Sequence, residues 1–268
     1  MTFQPVVPLG GNAGWAFLQR TREAQQEAFE QSATIQRDTT YFRETIASVT
    51  TAEALMEDRR LLTVALGAFG LDDDINNTFF IRKVLEEGTL DPDSLANRLS
   101  DKRYLALAEA FGFGDQFPPN TVLSDFGTQI TERFETRQFE VAIGTQNPDM
   151  RLALGLSDEL SALNARGQSD DAAWFTIMAT PPLRTVFERA FALPTSVGAL
   201  DIDRQLEIFR DKAASLFGDS TVAQFADPER QDELVRLFLA RSELQTAPSA
   251  TVRGSAALAI LQSTQPLF

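Results

Sequence analysis

The 268-residue chain carries 24 Lys and Arg against 38 Asp and Glu, a formal net charge of -14, so it offers no broad cationic face to a nucleic-acid backbone or an anionic membrane. It contains no histidine and no cysteine, which excludes Ser-His-Asp and Cys-His nucleophiles, dithiol redox chemistry, disulfides, zinc sites of His or Cys, and a histidine proton switch. Any chemistry has to come from carboxylates, Lys, Arg, hydroxyls or the two tyrosines, Tyr41 and Tyr104.

Residues 1–11 combine Pro5, Pro8, Gly10 and Gly11 and are expected to form a flexible N-terminal tail. They hold neither a basic leader nor an apolar run of signal-peptide length. Gly10, Gly11 and Gly14 follow no strand and precede no P-loop lysine, so they do not make a phosphate cradle. They are expected instead to let Trp15 pack closely. From residue 12 onward apolar residues recur three and four apart, the spacing of helices, and no segment alternates in the manner of a strand. The pattern predicts helices over 12–30, 34–48 and 51–69, the last introduced by a capping box in TTAE, Thr50–Glu53.

The stretch DRRLLTVALGAFGL, Asp58–Leu71, returns as DKRYLALAEAFGF, Asp101–Phe113, and as PLRTVFERAFAL, Pro182–Leu193. Each copy is an apolar stripe ending in a phenylalanine: Phe69, Phe111 and Phe191. Gly70 and Gly112 stand just past the first two, where a helix end commonly needs positive φ. Ala192 replaces the glycine in the third copy, and there Pro194 is expected to end the helix. Because the spacings between copies are unequal, the echo reads as a shared way of burying and stopping a helix rather than a solenoid repeat. The most apolar segment, Leu61–Leu71, is about half the length a bilayer requires.

LDDDINN, Leu71–Asn77, offers Asp72, Asp74 and Asn76 at the first, third and fifth positions of a calcium loop. The glycine expected at position six is Asn77, and the bidentate glutamate expected at position twelve is Lys83, so these are weak metal candidates. The competing reading is an acidic start for a helix over 74–87. Further helices are predicted over 92–99, 101–111, 121–143, 148–165, 170–178, 182–191, 202–217, 228–245 and 250–262. DPDS, NPDM and DPER each place Asp or Asn before Pro, a cap followed by a first-turn proline. The carboxylate pairs Asp158/Glu159, Asp170/Asp171, Asp201/Asp203 and Glu132/Glu135 fall mostly at helix starts or on polar faces, where a two-carboxylate hydrolase has no use for them. The 21 phenylalanines read as core. The expected architecture is all-α: an irregular bundle of about twelve or thirteen helices without a sheet, forming one domain over 12–268. Lobes over 12–113 and 121–268 with a hinge at GFGDQFPPN, 112–120, are the possible subdivision.

The phrases GWAFLQRTREAQQEAFEQS, DRRLLTVALGAFGLDDDINN, FIRKVLEEGTLDPDSLANRLSDKRYLALAEAFGFG, RQFEVAIG, PPLRTVFERAFALP and LDIDRQLEIFRDKAASLFG together resemble domain of unknown function 1217. This is an alphaproteobacterial family often encoded beside flagellar genes. The resemblance runs from about Gly14 to Leu261 and brings no catalytic residues to transfer. It implies an all-helical protein connected with the flagellum. The resulting expectation is a non-enzymatic, cytoplasmic protein that acts by protein–protein contact with flagellar partners, as an assembly factor, adaptor or minor structural component. Export through the flagellar apparatus stays open as a location. No cofactor, nucleic acid or membrane insertion is expected. The alternative is a carboxylate-dependent hydrolase or small-ligand sensor, which requires acids that converge in a buried pocket.

Overall fold

In the computed structural model the described residues run from 3 to 246, the last by its backbone alone. Thirteen α-helices and five short 3-10 turns account for their regular structure, with no strand among them. The helices are α1 (Gly11–Glu30), α2 (Ala33–Thr45), α3 (Ala52–Glu57), α4 (Arg59–Ala68), α5 (Thr78–Glu87), α6 (Leu95–Arg98), α7 (Arg103–Phe111), α8 (Phe126–Gly144), α9 (Pro148–Ala165), α10 (Asp170–Ala179), α11 (Pro181–Ala190), α12 (Ile202–Phe217) and α13 (Pro228–Thr246). The all-α class is therefore as expected. No helix among the described residues is long and apolar enough to cross a membrane. The helix expected over 250–262 lies outside the described residues.

Local chemistry explains where boundaries moved. The single helix expected over 51–69 is two, because Asp58 is extended and its carboxylate accepts from the N–H groups of Arg60 at 2.9 Å and Leu61 at 3.0 Å. An aspartate able to cap inside an apolar pattern ends one helix and starts the next. The cap of α3 is Thr51, one residue later than expected, accepting from the Ala54 N–H. NPDM and DPER do start α9 and α13: Asn147 accepts from Asp149 and Met150, and Asp227 from Glu229. DPDS starts no helix. Asp91 accepts from the Asp93 N–H, and the chain turns on to Leu95, whose N–H is taken by Glu87.

Residues 3–10, expected as part of a flexible tail, are strapped to the body. Gln25 accepts from the Val6 N–H at 2.6 Å and donates to the Val6 carbonyl at 3.2 Å. Gln146 accepts from the Val7 N–H at 3.1 Å and donates to the Pro5 carbonyl. Each amide side chain supplies both a donor and an acceptor to backbone that has no ladder of its own.

Two large hydrophobic cores and one small cluster hold the helices. One core runs from Ile35 to Phe134; the other takes Trp15 and Leu18 from α1 and then residues from Phe139 to Leu239. The handover lies inside α8, whose Phe126, Ile130 and Phe134 enter the first core and whose Phe139 and Ile143 enter the second. Trp15 and Leu18 of α1 pack with the C-terminal helices.

The three echoed helices pack against different partners: α4 on α8, α7 on α5, and α11 on α13. They are not stacked repeat units. Phe111 and Phe191 are buried, and Phe191 sits in a ring cluster with Trp174, Phe187, Phe209 and Phe217. Gly70 and Gly112 have φ of +67° and +68°. Ala192 has φ +52°, the non-glycine residue in this region among those described. The third copy therefore stops by the same left-handed turn as the first two, ahead of Pro194.

Candidate functional site

A cleft runs between the two cores. It consists of two hollows of ≈ 500 and ≈ 450 Å³ that share Phe69, Arg103, Arg137, Glu159 and Leu183. Helical register places its walls. On α8 the residues are Arg137, Glu140, Val141 and Gly144; on α9 they are Pro148, Arg151, Leu152, Gly155, Leu156 and Glu159. Both sets recur at three and four, so each helix gives one face to the cavity. The start of α11 adds Pro182, Leu183 and Val186; Phe69 comes from the first core, with Gly70 just after it and Arg103 from the start of α7.

Arg137 lies at the centre. It donates to Glu140 Oε2 at 2.9 Å and to Glu159 at 3.2 Å. Burial opposes its charge, but Glu140 and Glu159 outweigh that and raise its pKa. Glu140 is 3 % exposed. Burial pushes its carboxyl above the usual carboxylate range against the pull of Arg137. Its second oxygen, Oε1, is buried and has no hydrogen-bond partner among the described residues. Gly155 stands against this pair: a Cβ there would meet Arg137 Nη1 at 3.3 Å and Glu140 Oε2 at 3.4 Å.

Cations crowd the neighbouring hollow. The Arg133 guanidinium lies 4.3 Å from the centre of the Phe69 ring. Its pKa is lowered by burial and then by the charge of Arg137. Lys102 is likewise lowered, first by burial and then by Arg166, and donates to the Asn97 carbonyl at 2.8 Å. Arg103 is clamped by Asp101, with Nε 3.0 Å from each carboxylate oxygen.

The calcium candidates do not converge. Asp72 accepts from Gln138 at 2.7 Å, Asp74 from the Tyr104 hydroxyl at 2.7 Å, and Asn76 from Arg59 at 3.2 Å. Asp72–Asp74 form a 3-10 turn, and α5 starts only at Thr78, so these acids are not the helix start that was expected. Among the described residues no three acids are grouped to hold a metal. Trp15 is buried, with its indole N–H 3.4 Å from Asp232. Of the residues expected to be purely structural, Phe69 has a second place: it closes one helix and also walls both hollows. Asp170 and Asp171 engage Arg210, and Asp201 caps α12. The sequence reading missed Arg133, Arg137, Glu140 and Arg151 as cleft residues. The phrase RQFEVAIG, Arg137–Gly144, was the sequence signal that covered two of them.

These features define an irregular all-helical protein with two cores joined through one helix and a charged, apolar-floored cleft between them. Residues 68–230 match the family described as "Protein of unknown function (DUF1217)", and the chain belongs to that family. Its fold is similar to that of the crystal structure of protein AGR_C_984 from Agrobacterium tumefaciens. That similarity has a TM-score of 0.72 and 27% sequence identity, covering 91% of this chain and 99% of the other. No curated protein matches the chain.

Proposed function

We propose that the chain is a non-enzymatic protein of the flagellar system that acts in the cytoplasm through protein–protein contact. The observation that carries this reading is the exposure of large apolar side chains on the first lobe: Phe79 at 81%, Phe117 at 86% and Leu90 at 77%. Among the described phenylalanines these two are the exposed ones. Leu90 and Phe117 are presented by a fixed pair of loops. The Asp115 carboxylate accepts from Thr89 N–H at 2.5 Å, Thr89 hydroxyl at 2.8 Å and Leu90 N–H at 3.2 Å. Apolar groups held out by a rigid loop favour a partner protein over solvent. The flagellar setting rests on the genomic neighbourhood of the family that the sequence resembles.

The acids support a non-enzymatic reading. Glu140 and Glu159 approach the same cavity, yet both are ion-paired to Arg137 rather than set on either side of a bond to be cleaved. The test is deletion of the gene followed by complementation. Loss of swimming or of filaments, restored by the wild-type chain and not by Phe79→Ala/Phe117→Ala, is the expected result. Normal motility and flagellar number in the deletion strain overturn the proposal.

A further inference from the structure

We infer that the interlobe cleft binds an acidic peptide segment of a partner protein. An apolar side chain of the segment would lie at the α9/α11 end, and its carboxylates would be held by Arg133, Arg151 and Arg166. This extends the protein-contact reading to a second surface, separate from Phe79 and Phe117.

Three features converge. The first is position: the cleft runs between the two cores, walled by α8, α9 and the start of α11 on one side and by Phe69 and Arg103 on the other.

The second feature is shape. Leu152, Leu156, Leu183 and Val186 wall one hollow. Gly144 and Gly155 leave the wall low where a side chain would crowd Arg151 or the Arg137–Glu140 pair, with Cβ contacts of 2.6 Å and 3.3 Å respectively. A free inorganic anion has no use for that apolar wall, whereas a peptide side chain does.

The third is charge. Of the cations lining the cleft, Lys102, Arg133, Arg151 and Arg166 make no ion pair among the described residues, against Glu132 and Asp158 among the acids. Together the two hollows are lined by six cations and five acids in a protein of net charge -14, and the groups left without an ion pair are mainly cations. Arg133 crowds Arg137, and Arg166 crowds Lys102. Carboxylates entering the cleft relieve both repulsions.

The test uses the full chain and terminally blocked hexapeptides with a central Leu-Leu pair flanked on both sides by Asp, Ser or Lys, read by fluorescence polarisation. The Asp series is expected to bind at least about tenfold more tightly than the Ser series, and its advantage to shrink as salt rises. Arg133→Ala/Arg151→Ala/Arg166→Ala is expected to remove the Asp preference while the protein still melts as a folded chain.

The inference is overturned if no series binds, if Lys peptides bind as well as Asp peptides, or if the preference survives the triple substitution. Motility dependence on Phe79 and Phe117 is read separately, so the failure of either surface is distinguishable from failure of the other.

Discussion

Arg137 and Glu140 stand three residues apart on α8 and are joined at 2.9 Å, with the glutamate almost out of reach of solvent and the arginine partly exposed. The pair sits between Phe134, in one core, and Ile143, in the other. Arg137→Ala would strand the Glu140 charge in a buried site and leave Glu159 without its partner as well. The expected cost is about 3 kcal/mol, the scale of breaking a buried ion pair from one side, read from chemical denaturation. A loss below about 0.5 kcal/mol, the range of ordinary surface substitutions, would show that water reaches the pair freely.

The elevated Glu140 pKa also fixes the sign of a pH effect. A carboxyl that holds its proton more tightly folded than unfolded adds stability below the unfolded value of about 4.3. That contribution is lost as pH rises through the folded value. The wild-type chain minus Glu140→Gln should therefore lose relative stability from about pH 4 upward. Other carboxylates, Asp58 and Asp101 included, cancel in this difference because both proteins carry them. A difference that rises with pH would contradict the assignment.

At Ala192 the backbone is held at φ +52°, where a Cβ is unfavourable. Ala192→Gly should stabilise the fold by about 1 kcal/mol. Gly112→Ala, at φ +68° and with Asn120 3.1 Å from the new Cβ, should destabilise it by at least about the same amount. Paired thermal melts give both signs, and an unfavourable Ala192→Gly would mean that the turn is not strained.

Phe117→Ala should change stability by no more than about 0.5 kcal/mol, since the ring is 86% exposed. A larger loss in the isolated protein would show that Phe117 serves the fold rather than a partner.

Much of the helical layout was legible because its signals are local. The bounds of α9 and α12 coincide with the expected 148–165 and 202–217: Asn147 with Pro148 marks one start, and Gly218 at φ +84° marks the end of α12. The break at Asp58 was not legible, since an aspartate on a polar face and one that caps from within look alike until Tyr41 is placed 2.5 Å from its carboxylate. The cleft was harder still. Nothing in the spacing of Arg137 and Glu140 sets them apart from an exposed i, i+3 pair; their burial comes from α9 packed on α8. Phe69 ended an apolar stripe on paper, and only α8 arriving from much later in the chain sets Arg133 over its ring.

Because α8 is continuous from Phe126 to Gly144 and anchors a core at each end, it works as an axle with both wheels fixed. Prying the lobes apart would require bending that helix between Phe134 and Phe139. The gap is accordingly preset in width, and a guest must match it on arrival instead of being enfolded. Selectivity would then be decided by fit at the doorway, with little reorganisation left to slow entry or to tighten the grip afterwards.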